Sequence, residues 1–77
     1  MRHSNFYYND IYLGTLYESG VFDYMMFSSH AKYMDVERVV HALETIRKVG
    51  LSDDFNYDSY LESWKNFQFS DDGFEFR

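Results

Sequence analysis

The sequence predicts one α+β domain in which a small antiparallel sheet, made of N-terminal strands and a C-terminal hairpin, packs with two helices. Three observations predict it. Apolar residues recur at helical spacing from Val36 to Ile46 and again from Tyr57 to Trp64. Strand-forming Tyr, Phe and Ile crowd the first third of the chain. At residues 67–77 the stretch FQFSDDGFEFR alternates phenylalanine with polar residues around an Asp72-Gly73 turn signal.

Each element follows in order. Residues 1–34, with turn-like Asn9-Asp10 and Ser19-Gly20, read as a β-meander. No simple register across Ser19-Gly20 gives a clean apolar face, and a helix from Ile11 to Glu18 stopped by Gly20 is the alternative, weakened by Gly14. Asp35 is an N-cap for the first helix; Glu37 suits its positive end and Arg47 and Lys48 its negative end. Gly50 is expected as a left-handed stop, followed by Leu51. Val36, Val39, Val40, Leu43 and Ile46 form the inward stripe, and His41 lies on the polar face with Glu44 and Lys48 as an i,i+4 pair.

A short link from Gly50 to Asp54 leads to the second helix. Tyr57, Tyr60, Leu61 and Trp64 repeat at i, i+3, i+4 and i+7, with Asn56 or Asp54 as cap and Asp53, Asp54 and Asp58 near the positive end. In the final hairpin a two-residue Asp72-Gly73 loop pairs Asp71 with Phe74, Ser70 with Glu75 and Phe69 with Phe76. Phe67, Phe69, Phe74 and Phe76 then share one face, and Glu75 falls on the other.

Composition bounds the function. At 77 residues the chain is one domain, and such a chain buries only about 60% of its unfolded surface. It has no cysteine, which removes disulfides and thiolate metal sites. No apolar run approaches the roughly 18 residues of a membrane span, and the start MRHSN lacks an apolar signal core, so a cytoplasmic protein is expected. Aromatic residues make up 22% of the chain, against five Leu, five Val and two Ile. A core this small is not expected to take every ring, and exposed Tyr or Phe would suit a protein interface.

The formal net charge is −6 and it is uneven. Residues 1–50 hold six acids and five bases, whereas residues 51–77 hold seven acids and two bases. Such a C-terminal third repels nucleic acid and anionic lipid and attracts a basic surface. Ordinary solubility is the simpler explanation of the charge itself.

Catalytic chemistry finds no constellation. His3, His30 and His41 lack ligand spacing, so neither metal nor cofactor is expected, and Ser28, Ser29 and Ser59 lack a nucleophile context. Helix capping accounts for Asp53, Asp54 and Asp58 without invoking acid–base work. Seven Lys and Arg form no basic stripe, which disfavours direct nucleic-acid binding. Binding to protein remains. Acids two apart on a strand, about 6.6 Å, or one helical turn apart, about 6 Å, can present a row of charge to a site built for phosphates.

In composition the chain resembles phage-encoded inhibitors of bacterial defence, the anti-restriction DNA mimics and anti-CRISPR proteins, as in NFYYND, FDYMMF and DDFNYDSY. The resemblance covers no aligned stretch and carries over no residue role. It implies a stoichiometric inhibitor of a nucleic-acid-handling complex in the host cytoplasm. The expected partner is therefore a protein with a basic surface, met by Asp53, Asp54, Asp58, Glu62, Asp71, Asp72 and Glu75, with exposed Tyr57 or Tyr60 as anchors. The alternative is a small adaptor or antitoxin-like subunit that binds by aromatic packing and, isolated, dimerises.

Overall fold

The structure is a computed structural model and describes residues 1–24, 36–64 and 73–77. Its elements are β1 (His3–Tyr8), β2 (Ile11–Tyr17), β3 (Phe22–Tyr24), α1 (Val36–Gly50), α2 (Tyr57–Ser63) and β4 (Phe74–Phe76). The four strands form one antiparallel sheet in the order β3-β2-β1-β4, so the fold is α+β. Residues Ile11–Tyr17 are strand, and the helical alternative for this stretch does not occur.

Turn chemistry makes the meander. Asn9 and Asp10 adopt positive φ, 48° and 70°, the signature of a type I′ turn whose twist matches the strands it joins. The second turn is a three-residue loop. The Gly20 N–H donates to the Tyr17 carbonyl and the Tyr17 N–H to the Val21 carbonyl, both at 2.9 Å, with Gly20 in the left-handed region. That extra loop residue sets Leu16 opposite Phe22 and Gly14 opposite Tyr24, which a two-residue loop at Ser19-Gly20 does not.

A bulge explains why no simple alternation fits β2. Phe6 faces Gly14 but Tyr7 faces Tyr12, leaving Leu13 as the additional residue. Continued alternation from Leu16 and Gly14 would turn Tyr12 inward and Leu13 outward. The inserted residue reverses the phase, so Leu13 is 4% exposed and Tyr12 48% exposed.

Helix α1 buries Val39, Ala42, Leu43, Ile46 and Gly50. Val36 is exposed and Val40 half-buried, which corrects the expected stripe. At about 100° per residue these two valines lie roughly 60° and 100° from the centre of the buried set, on its flank. Glu44 pairs with Arg47 at 3.1 Å, in place of the expected Lys48. Gly50 is not a left-handed stop: the Leu51 N–H still reaches the Arg47 carbonyl at 3.2 Å, and the positive-φ glycines of the described residues are Gly20 and Gly73. The expected cap Asp35 lies outside the described residues.

The predicted C-terminal hairpin is described only from Gly73 onward; its expected first strand, with Phe67, Phe69 and Asp71, and the loop residue Asp72 lie outside the described residues. The neighbour seen for β4 is β1, with Phe6 opposite Phe76 and Tyr8 opposite Phe74. Phe74 is buried and Phe76 half-buried while Glu75 is exposed, which matches the predicted division of faces.

Both helices cover the same face of the sheet, because one core cluster joins Phe6, Leu13, Leu16, Phe22 and Phe74 to Val39, Leu43, Ile46, Tyr57, Tyr60 and Trp64. Phe6 is at its centre, fully buried. The Phe74 ring stacks on it at 5.6 Å, the Trp64 and Phe22 rings meet it edge-on at 5.5 and 6.0 Å, and Phe76 lies 4.8 Å away. Aromatic pairs of this geometry add about 0.5–1.5 kcal/mol each beyond area burial. Many of the rings are thus core, which offsets the thin aliphatic stock.

Candidate protein-binding surface

The acids singled out by the sequence fall in three places. Asp53 and Asp54 sit in the connection between the helices, Asp58 and Glu62 on α2, and Glu75 on β4. Asp71 and Asp72 lie outside the described residues.

The connection is built from successive turns. The Ser52 N–H donates to the Val49 carbonyl and the Phe55 N–H to the Ser52 carbonyl, both at 3.1 Å. The Ser52 hydroxyl donates to the Asp54 carboxylate and holds its pKa below the usual range. Asn56 adopts the extended backbone of an N-cap, and its Oδ1 accepts from the Ser59 N–H at 2.9 Å. With Asn56 as the cap, Asp53 and Asp54 are left exposed.

Two arginines near opposite ends of the chain, which the sequence reading did not single out, neutralise other acids. Arg2 donates from Nε to Glu18 at 2.7 Å and from both terminal nitrogens to Asp58 at 2.8 and 2.9 Å. Its guanidinium also lies 5.3 Å from the Tyr57 ring centre, and the Asp58 carboxyl is held below its usual pKa by the Arg2 hydrogen bonds. Arg77 contacts both Glu75 and Asp10 and stacks 4.4 Å over the Tyr7 ring. Arg2 pairs with acids 16 and 56 positions away, which no local motif marks; Arg77 pairs with Asp10, 67 positions away, and with Glu75, two positions away on the same side of the strand.

Asp58 and Glu75 are therefore ion-paired. Asp53, Asp54 and Glu62 are exposed and have no cationic partner among the described residues. Of the five expected acids that are described, these three are the ones left without a cationic partner among the described residues.

Tyr57 and Tyr60 are not exposed anchors. They are 8% and 7% exposed. The Tyr57 hydroxyl bonds the Ser4 hydroxyl at 2.6 Å, and the Tyr60 ring packs among Phe55, Trp64 and Phe76. The spacing that identified α2 had already placed both on its inward stripe, and burial follows from that.

The junction also forms a cleft of about 370 Å³, bordered by Ser52, Asp54, Phe55, Ser59, Tyr60 and Ser63. Elsewhere His3 lies beside the Tyr17 ring, 5.9 Å between centres, and His41 is on the exposed face of α1. No group of three His, Cys, Asp or Glu among the described residues could hold a metal ion, and none of their helices is long and apolar enough to cross a membrane.

The outer face of the sheet carries a second surface. Tyr12 and Tyr7 meet edge-on at 5.8 Å, and the Tyr12 hydroxyl joins Thr15 and Asn5 in a hydrogen-bonded chain. Comparison with protein-family models, curated proteins and solved structures finds no match to this chain, and no residue role is carried over from another protein.

Proposed function

We propose that this protein is a non-enzymatic inhibitor that binds a protein partner and occludes a basic nucleic-acid site, of the kind found on host defence complexes. One observation carries the reading. Asp53 and Asp54 in the helix connection and Glu62 on α2 are exposed and have no cationic partner among the described residues, while Arg2 and Arg77 engage Asp58 and Glu75. Charges left open in this way steer a basic partner and make its association salt-sensitive.

The test is an affinity pull-down from a bacterial lysate followed by competition with duplex DNA. Displacement of the captured protein by DNA supports occlusion. A captured protein that stays bound in excess DNA overturns it.

A second reading, an adaptor that binds by aromatic packing, draws support from the outer sheet face. Tyr12 is 48% and Val21 56% exposed there. Under this reading the substitution Tyr12→Ser abolishes capture, and added salt leaves it unchanged.

A further inference from the structure

We propose that the cleft at the junction of α1 and α2 receives an arginine side chain of the basic partner. The inference rests on the partner reading above and deepens it by naming the group that would be recognised. The cleft, at about 370 Å³, is within the range of built ligand pockets, roughly 300–1,000 Å³.

Its chemistry suits a guanidinium. Half-buried Phe55 borders the cleft, and its ring is backed by buried Tyr60 at 5.8 Å between centres. An aromatic ring at such a border can stack with a planar cation. Asp54 stands at the border, ionised and without a cationic partner among the described residues.

Two of the three serine hydroxyls are set to accept. Ser52 has already donated its proton to Asp54, and Ser63 has donated its proton to the Tyr60 carbonyl at 2.9 Å. The lone pairs of both oxygens remain for incoming donors. A guanidinium brings five N–H donors and no acceptor, so a border of carboxylate and donated hydroxyls complements it. The same carboxylate disfavours an anion, while Val49 and Phe55 on the border suit the methylenes of an arginine side chain.

The probe is butylguanidinium chloride, titrated into the full chain and followed by amide NMR. Butylurea, a neutral analogue, and sodium chloride at equal ionic strength are the comparisons. Saturable shifts at residues 52–56 and 59–63, seen with butylguanidinium alone, are expected. Asp54→Asn keeps an acceptor for the Ser52 hydroxyl and should weaken binding about fivefold, the upper end for an exposed ion pair. Glu37→Gln, on the exposed face of α1, should leave it unchanged.

Shifts equal to those with salt or butylurea, shifts centred elsewhere, or an unaltered Asp54→Asn titration would overturn the proposal. Should Asp54→Asn fail to fold by circular dichroism, Phe55→Leu tests the aromatic half of the cleft in the same way. The two readings fail separately. Probe binding without displacement of the partner by DNA removes occlusion and keeps the cleft; displacement without probe binding removes the cleft alone.

Discussion

Gly20 and Gly50 meet backbone to backbone, so that a Cβ on Gly50 would fall 2.0 Å from the Gly20 carbonyl oxygen and one on Gly20 would fall 2.1 Å from the Gly50 oxygen. The β2–β3 loop is thereby docked on the last turn of α1, with the Phe55 ring alongside, 3.3 Å from where a Cβ on Gly20 would fall. Two effects oppose each other in Gly50→Ala. Helix propensity favours alanine by about 1 kcal/mol, whereas overpacking costs about 1–3 kcal/mol, and more where backbone rather than side chain must yield. Close packing should win. A lowered urea midpoint is expected, and a raised one would show that the two backbones do not touch.

This joint marks the boundary of what the sequence discloses. Helix α1, the inward set of α2 and the turn residues were legible because each depends on spacing within one segment. Gly50 was read as a helix stop by the same local logic, and only the loop opposite it reveals its other role. The bulge at Leu13 and the three-residue loop at Gly20 each shift alternation by one residue, which hides an amphipathic sheet from any single-register reading. For the site, acid content was plain but acid availability was less so, because Arg2 finds Asp58 through tertiary folding, whereas the Arg77–Glu75 pair, two residues apart on one side of the strand, was within reach of a local reading. The buried state of Tyr57 and Tyr60 was legible in the helical stripe.

The bond between Ser4 and Tyr57 ties β1 to α2 across the core, with both side chains buried. Tyr57→Phe leaves the Ser4 hydroxyl without that partner and should cost about 1–3 kcal/mol. Adding Ser4→Ala removes the orphaned group and should restore part of the loss. A double variant whose loss equals or exceeds the sum of the two single losses would refute this coupling.

Arg2 sets the titration of Asp58. The folded carboxyl is depressed below its unfolded value by the Arg2 hydrogen bonds. Its contribution to stability is therefore present above the ordinary carboxylate pKa and is lost as pH falls through the depressed folded value. In Arg2→Met, carboxyl-carbon NMR should show the Asp58 midpoint moving up toward the ordinary range. An unmoved midpoint would mean that the ion pair does not form in solution.

Unneutralised and neutralised acids should behave differently toward a partner. Asp53→Asn, Asp54→Asn and Glu62→Gln combined should slow association and flatten its dependence on salt, since these charges lack a cation among the described residues. Glu75→Gln should change little, because Glu75 is already engaged by Arg77. Stopped-flow association with the captured partner compares them. Equal effects of the two sets would remove the distinction on which the proposed surface rests.

Tyr60 makes the fold sensitive to alkali. Burial pushes its phenol up to about 12, because the charged phenolate is poorly solvated among Phe55, Trp64 and Phe76. The folded pKa thus lies above the unfolded value near 10, and the unfolded chain releases the proton first as pH rises. The stabilisation is fully present below about pH 10 and is lost as pH climbs toward 12, a change on the order of 2–3 kcal/mol. Tyr60→Phe retains the ring and removes the ionisable group, so its urea midpoint should fall less steeply across this interval than that of the parent chain. Parallel pH profiles for the two proteins would assign the alkaline loss to other tyrosines and place the Tyr60 hydroxyl in contact with water.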